Sequence, residues 1–140
     1  MKVLFVVGFG PISVDGSAAR RFYGDVLGLP LVDEGGYLHT GKIQGVKEFA
    51  AWPLSQAAES CFGTPDWPSE VPVPQGWLEF DVDDLAAATR ELEERGYRLL
   101  VKSRKEPWGQ EVTRLLGPEG LLVGLSVTPA LRNEGQERAD

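Results

Sequence analysis

The sequence predicts an α+β fold in which two βαβββ modules form a curved mixed sheet around a central cleft, with the helices outside. The main observation is a repeat: residues 11–32 and 78–101 share one order of features. Each contains an apolar strand, an aspartate, an Ala-rich amphipathic helix, a glycine and a new apolar strand. The aspartate and the glycine are 13 residues apart in the first copy and 12 in the second. After each helix, short apolar runs separated by glycine or proline turns indicate further strands.

The first module begins with the apolar run MKVLFVVGFG, which predicts a strand. It contains a single lysine and no small-residue cleavage site follows, so it lacks the pattern of a signal peptide. The next segment predicts a helix that starts near Asp15 and ends at Gly28, before Pro30. Apolar residues four apart give this helix one wide face, formed by Ala18, Phe22 and Val26 together with Ala19, Tyr23 and Leu27.

Three strands complete the first module, which we assign to residues 1–52. We predict these strands at 29–33, 37–40 and 47–52. Residues 53–75 contain five of the ten prolines, so we interpret them as a linker with one helical turn at 55–61.

The second module is assigned to residues 76–128. Its first strand ends at Asp84, and its helix ends at Gly96. The remaining strands are predicted at 97–102, 112–116 and 121–127, and the turn GPEG joins the last two. Residues 129–140 form a polar tail, predicted to be disordered from Arg132 onward, and we expect both modules to form a single domain.

Composition limits the classes of function. A chain of 140 residues with 42% hydrophobic and 25% charged residues is typical of one soluble domain. No apolar run reaches the roughly 18 residues that span a bilayer, so we expect no membrane partner and a cytoplasmic location. The single cysteine, Cys61, excludes an intrachain disulfide and suits a reducing compartment. A net charge of -7 argues against nucleic-acid binding and is compatible with cationic ligands.

Four motifs in this order carry a resemblance to a known family. They are FYGDVLGL, WLEFDVDD, LEERGYRLL and EPWGQEVTRLLGPEGLLVGLSV. Over roughly residues 3–128 the chain resembles the vicinal oxygen chelate superfamily, which includes glyoxalase I, extradiol dioxygenases, fosfomycin-resistance enzymes and bleomycin-resistance proteins. The resemblance implies paired βαβββ modules around a cup. It also implies a divalent metal in the cup, acting as a Lewis acid on the substrate.

The residues at the family's metal-ligand positions depart from this pattern. Counted from the strand-ending aspartates and the turn glycine, the positions that the resemblance implies are Gly8, Trp77 and Gly124. None of these residues has a metal-donor side chain, so we predict that the usual site is absent and expect no cofactor. The alternative is a rebuilt divalent-metal site around His39 and Glu79, with Asp81 or Glu48.

Strand alternation indicates which side chains enter the cleft. It places Leu78, Phe80 and Val82 beneath the helix, and Trp77, Glu79 and Asp81 on the opposite side. Tryptophans on a concave wall can stack on planar ligands, and the resemblance implies that the PWGQ segment borders the ligand. The candidate ligand-binding residues are therefore Trp52, Trp77, Trp108, Glu79, His39 and Gln110.

Three roles remain open for Glu79: an acid or base with a raised pKa, a partner for a cationic ligand, or an ion pair with a nearby arginine. We expect a metal-independent protein that binds an aromatic or cationic organic molecule, as in antibiotic sequestration, and leave its status as an enzyme open. The alternative is a lyase, isomerase or dioxygenase that uses a non-standard metal site or Glu79. The resemblance also implies a homodimer, in which first strands are often exchanged.

Overall fold

The computed structural model describes residues 1–132, which form one eight-stranded sheet with helices. Along the chain, the elements are β1 (Val3–Ser13), α1 (Gly16–Ala19), a π-helical segment (Arg20–Val26), β2 (Val32–Glu34), β3 (Tyr37–Thr40), β4 (Glu48–Pro53), α2 (Leu54–Phe62), β5 (Gly76–Val82), α3 (Leu85–Glu94), β6 (Val101–Lys105), β7 (Glu111–Leu116) and β8 (Leu122–Val127). The order across the sheet is β2-β3-β4-β1-β5-β8-β7-β6. The predicted α+β fold is therefore confirmed.

The two modules meet at the centre of the sheet. β1 pairs in parallel with β4 and antiparallel with β5, and β5 pairs in parallel with β8. Both edges of β1 are thus paired within its own chain. All eight strands of the sheet therefore come from one chain, without an exchange of β1.

The first helix departs from its prediction after one turn. Asp15 caps it as expected, accepting hydrogen bonds from two backbone N–H groups. Arg20–Val26 then has π geometry, in which the N–H of Leu27 donates to the oxygen of Phe22 at 2.9 Å. A π turn contains more residues than an α turn, so residues four apart no longer share one face.

The predicted apolar face of this helix is consequently wrong in part. Ala19 and Tyr23 do pack against Leu38 of β3 and Ala51 of β4. The side chains of Phe22, Val26 and Leu27 are instead between 50% and 69% exposed.

Two strands begin later than the sequence predicts. β2 begins at Val32 rather than at residue 29, and β6 begins at Val101 rather than at residue 97. The N–H of Leu29 donates a hydrogen bond to the backbone oxygen of Tyr23, and the N–H of Tyr97 donates one to the backbone oxygen of Leu92. These residues therefore complete the hydrogen bonding of the preceding helix and are not available to a strand.

The predicted linker contains a full helix. α2 has nine residues, where a single turn was expected, and it ends at Gly63 with a φ of 76°. Ala57 and Cys61 on α2 are buried in the core on the cleft side of the sheet, with Ile12, Ala50, Trp77, Val101 and Leu122. Unlike α1 and α3, this helix lies on the inner side of the sheet.

α3 covers the outer face of the second module. Asp84 caps it by accepting a hydrogen bond from the N–H of Ala87 at 3.0 Å. Phe80 and Val82 pack beneath it, as the strand alternation predicted, while Leu78 is partly exposed and lies outside this cluster.

The first residues of the predicted tail are ordered. Residues 129–132 form a helical turn, in which Arg132 donates a 2.8 Å hydrogen bond to Asp81. The N–H of Thr128 donates to the other oxygen of Asp81, also at 2.8 Å. Asp81 is thereby covered and fully buried. The rest of the predicted tail, 133–140, lies outside the described residues.

Within residues 1–132, no helix is both long enough and apolar enough to cross a membrane.

Candidate functional site

The inner face of the sheet borders a cavity of about 480 Å³, which we call the cup. This volume is in the range of small-molecule sites. All six candidate ligand-binding residues line it. The complete wall consists of Val7, Glu34, Tyr37, His39, Glu48, Trp52, Gln56, Trp77, Glu79, Trp108, Gln110, Arg114, Thr128 and Leu131.

Trp77 forms a fixed part of the wall. It is 8% exposed, and its indole N–H donates to the backbone oxygen of Ala50 at 2.9 Å. Its ring meets that of Trp52 edge to face, with centroids 6.3 Å apart and planes at 79°. Two indoles from different modules thus form one continuous apolar surface.

Glu79 is buried at the bottom of the cup and has partners at both carboxylate oxygens. One oxygen lies 3.4 Å from the guanidinium of Arg114. The other accepts hydrogen bonds from Gln110 at 2.5 Å and from Ser126 at 3.4 Å. Burial raises the pKa of Glu79, and the charge of Arg114 opposes that rise.

Arg114 lies between two buried carboxylates. Besides Glu79, its guanidinium donates to Glu106 at 3.2 Å and to the hydroxyl of Ser60 at 2.7 Å. It also lies over the ring of Trp52, 5.0 Å from the centroid. The positive charge of this arginine is therefore already neutralised within the protein.

His39 stands between two carboxylates. Its Nδ1 lies 3.1 Å from Glu48, and its Nε2 lies 2.9 Å from Glu34. Its ring also stacks on that of Tyr37, with centroids 5.1 Å apart. Burial raises the pKa of the Glu48 carboxyl, and His39 opposes that rise. Burial, followed by the nearby Glu48, likewise raises the pKa of the Tyr37 hydroxyl.

Trp108 and Gln110 belong to the turn between β6 and β7. Trp108 is 64% exposed although it lines the cup. Its indole N–H donates to the side-chain oxygen of Gln110 at 2.9 Å. Gln110 is itself buried and donates to Glu79 and to Thr128.

The three metal-ligand positions counted along the sequence, Gly8, Trp77 and Gly124, do not lie at one level across the central strands. Gly8 of β1 pairs with Glu48 of β4 and with Glu79 of β5, and Glu79 pairs with Gly124 of β8. Trp77 pairs two residues further along β1, with Gly10, in the same continuous antiparallel register. The row level with Gly8 therefore contains two glycines and two carboxylates.

This row does not fit a divalent metal. A Cβ at Gly124 would lie 2.8 Å from an oxygen of Glu79, and one at Gly8 would overlap the backbone oxygen of Glu48. Both oxygens of Glu79 already accept hydrogen bonds, one from Gln110 and the other from the guanidinium of Arg114. Among residues 1–132, no group of three or more His, Cys, Asp or Glu side chains has a metal-binding arrangement.

Two further residues with reactive side chains are buried. Asp81 bonds to the C-terminal segment and does not line the cup. Burial raises the pKa of the Cys61 thiol to about 11, so a thiolate nucleophile is not favoured there.

Several residues of the wall were not predicted from the sequence. Arg114 had one signal, a charged residue inside the strand EVTRLL. Tyr37 precedes His39 by two residues and so shares its face of β3. Gln56 lies within the helical turn predicted at 55–61, but nothing in the sequence indicated that this turn borders the cup.

Known proteins share the fold of this chain. A family model described as the Glyoxalase/Bleomycin resistance protein/Dioxygenase superfamily matches residues 12–125. No curated protein matches the chain by sequence.

Several solved structures share the fold. A glyoxalase/bleomycin resistance protein/dioxygenase superfamily member from Vibrio splendidus 12B01 has a TM-score of 0.58 and 17% identity, covering 88% of this chain and 97% of that one. Methylmalonyl-CoA epimerase from Mycobacterium tuberculosis has a TM-score of 0.56 and 21% identity, covering 94% and 93%. A methylmalonyl-CoA epimerase variant from Streptomyces coelicolor, in complex with 2-nitronate-propionyl-CoA, has a TM-score of 0.51 and 16% identity, covering 92% and 97%.

Proposed function

This chain belongs to the glyoxalase/bleomycin resistance protein/dioxygenase superfamily, and we propose that it binds a small aromatic or cationic organic molecule in the cup without a metal. The observation that carries the proposal is the composition of the wall. Aromatic rings and carboxylates line the cup, and its arginine is already paired.

The aromatic side chains supply a surface for a planar ligand. Trp52, Trp77 and Trp108 line the same cavity, together with the stacked rings of Tyr37 and His39. Stacking between aromatic rings contributes about 0.5–1.5 kcal/mol beyond the burial of area. A planar molecule that displaces water from these rings would gain both contributions.

The carboxylates favour a positive group on the ligand. Glu34 and Glu48 flank His39 on the wall, so even a protonated His39 leaves one negative charge in this group. Arg114 is held by Glu79 and Glu106 and offers no free charge to an anion. The cup is therefore more favourable to a cation than to an anion.

Binding of this kind requires no chemical change in the ligand. We infer a role in sequestration, for example of an antibiotic, by a protein of the cytoplasm.

A series of three ligands of similar size tests the proposal. Benzamidinium, benzamide and benzoate share a planar ring and differ in charge. Titration by calorimetry or tryptophan fluorescence is expected to give the tightest binding for benzamidinium, roughly tenfold tighter than for benzamide, with benzoate weakest. Glu48→Gln should reduce the advantage of benzamidinium over benzamide. Glu94→Gln, at an exposed position on α3, should leave it unchanged.

The outcomes of this series are distinct. The proposal is wrong if none of the three compounds binds. Tightest binding by benzoate would identify an anion site and would also contradict the proposal.

The second candidate function is proton transfer by Glu48, as in a lyase or isomerase. The observation in its favour is the hydrogen bond between Glu48 and His39, together with the raised pKa of Glu48. Glu79 suits this role less well because both its oxygens have partners. Exchange of a ligand C–H proton with D₂O that depends on Glu48 would favour this second function.

A further inference from the structure

We propose that Gln110 is a positioning residue that holds the indole of Trp108 over the mouth of the cup, so that Trp108 selects planar ligands. This inference rests on the proposed function and assigns the selectivity of that site. It also assigns a structural role to Glu79, whose carboxylate accepts a hydrogen bond from Gln110.

The turn that carries Trp108 is anchored at both ends. The N–H of Glu106 donates to the backbone oxygen of Gln110 at 2.7 Å, and the N–H of Gly109 donates to the backbone oxygen of Glu106 at 2.9 Å. The side chain of Glu106 is 4% exposed and accepts hydrogen bonds from Ser60 and Arg114. Only the short stretch 107–109 therefore extends into solvent.

The exposed indole is unusual within this anchored turn. Trp108 is 64% exposed, and a large apolar ring in water is unfavourable until something covers it. Because Trp108 lines the cup, a ligand in the cup would cover one face of its ring. That ring contributes more to binding when its orientation is fixed before the ligand arrives, because less side-chain entropy is then lost on binding.

Gln110 supplies that orientation through a chain of hydrogen bonds. An indole N–H can only donate, so the oxygen of the Gln110 amide must face Trp108, at 2.9 Å. The amide nitrogen then donates to Glu79 at 2.5 Å and to the hydroxyl of Thr128 at 3.2 Å. The buried carboxylate of Glu79 and the half-buried hydroxyl of Thr128 thus fix the amide, and the amide fixes the indole.

The first test observes Trp108 without any ligand. In protein labelled with ¹⁵N-tryptophan, Gln110→Ala should shift the indole N–H resonance of Trp108, assigned by its loss in Trp108→Phe. The resonance of Trp77, which donates to Ala50, should stay in place. Gln44→Ala, at an exposed position outside the cup, should move neither resonance.

The second test compares two cations of equal charge. Benzamidinium is planar, whereas cyclohexanecarboxamidinium has a puckered ring. The wild-type protein should prefer benzamidinium by roughly 2- to 10-fold, the range expected from one stacking contact. Trp108→Ala and Gln110→Ala should each reduce that preference to about onefold, while Gln44→Ala retains it.

The results separate this inference from the proposed function. If neither cation binds, the proposed function fails. If both bind wild-type protein equally, or if Gln110→Ala keeps the preference, the function stands and the role of Gln110 is wrong. Should Gln110→Ala fail to fold, Gln110→Met keeps the length of the side chain and removes its hydrogen bonds. An unchanged preference in that variant overturns the inference, and a lost preference supports it.

Discussion

At the scale of single residues, the carboxylate of Glu79 has a hydrogen-bond partner at each oxygen, and a buried guanidinium lies next to it. Of the three roles left open by the sequence, the ion pair with an arginine is the one with direct contacts. Arg114 contacts Glu79 from β7, which is separated from β5 by β8 in the sheet. No spacing along the chain could identify that partner.

We predict that Glu79→Ala lowers the free energy of unfolding by about 3 kcal/mol, because removing one partner of a buried ion pair leaves the other charge poorly compensated. Glu106 would still be paired with Arg114. Urea denaturation measures this change.

Glu94→Ala is the matched control, since it removes an exposed glutamate from α3. Its effect should stay within about 0.5 kcal/mol. Equal stability of the Glu79 variant and the wild-type protein would contradict a structural role for this ion pair.

At the scale of elements, the signals that lie close together in the sequence were reliable. Asp15 caps its helix where predicted, and Asp84, predicted as the end of the preceding strand, caps α3. Capping is a local signal because it depends on backbone groups two or three residues away. The ends of the same helices were less predictable. The π turn after Ala19 and the late starts of β2 and β6 depend on hydrogen bonds that the chain makes after packing.

We predict that Asp84→Ala destabilises the protein by about 1 kcal/mol, since the N–H of Ala87 loses its acceptor. Thermal unfolding followed by circular dichroism measures the effect. Asp83→Ala alters the neighbouring exposed aspartate, whose side chain caps no helix, and should have little effect. A similar loss in both variants would mean that general charge, and not the cap, is responsible.

α2 shows the limit of composition as a signal. Five prolines in residues 53–75 predicted a linker, but none of them lies inside Leu54–Phe62. Pro53 directly precedes the helix, and the other four follow it. The helix forms because Ala57 and Cys61 can be buried against the cleft side of the sheet, and this surface exists only after both modules have met.

At the scale of the whole molecule, the central strand β1 exposes apolar side chains. Val3, Val6 and Phe9 are all exposed although β1 lies in the middle of the sheet. Exposed apolar groups of this kind are typical of association surfaces. We propose that they form the contact of the expected homodimer; this contact needs no strand exchange, because β1 is paired on both edges within its own chain.

We predict that the protein sediments as a dimer and that Phe9→Lys shifts it toward the monomer, because a charge is unfavourable in an apolar interface. Val73→Lys introduces the same charge at an exposed valine outside the sheet and should leave the dimer intact. A wild-type protein that sediments as a monomer at every concentration would contradict this prediction.

The sequence by itself determined the two modules, the helix caps, the turns and the entry of Trp77 and Glu79 into the cleft. These features depend on contacts within a few residues or on strict alternation, so the chain carries them in its order. The tertiary structure decided the pairing of Glu79 with Arg114, the level of Glu79 beside Gly8 and Gly124, and the link from Trp108 through Gln110 to Glu79. Each of these brings together strands or turns that are far apart in the chain. Their register is set by the packing of the two modules as a whole, because no local signal fixes how β1 pairs with β5.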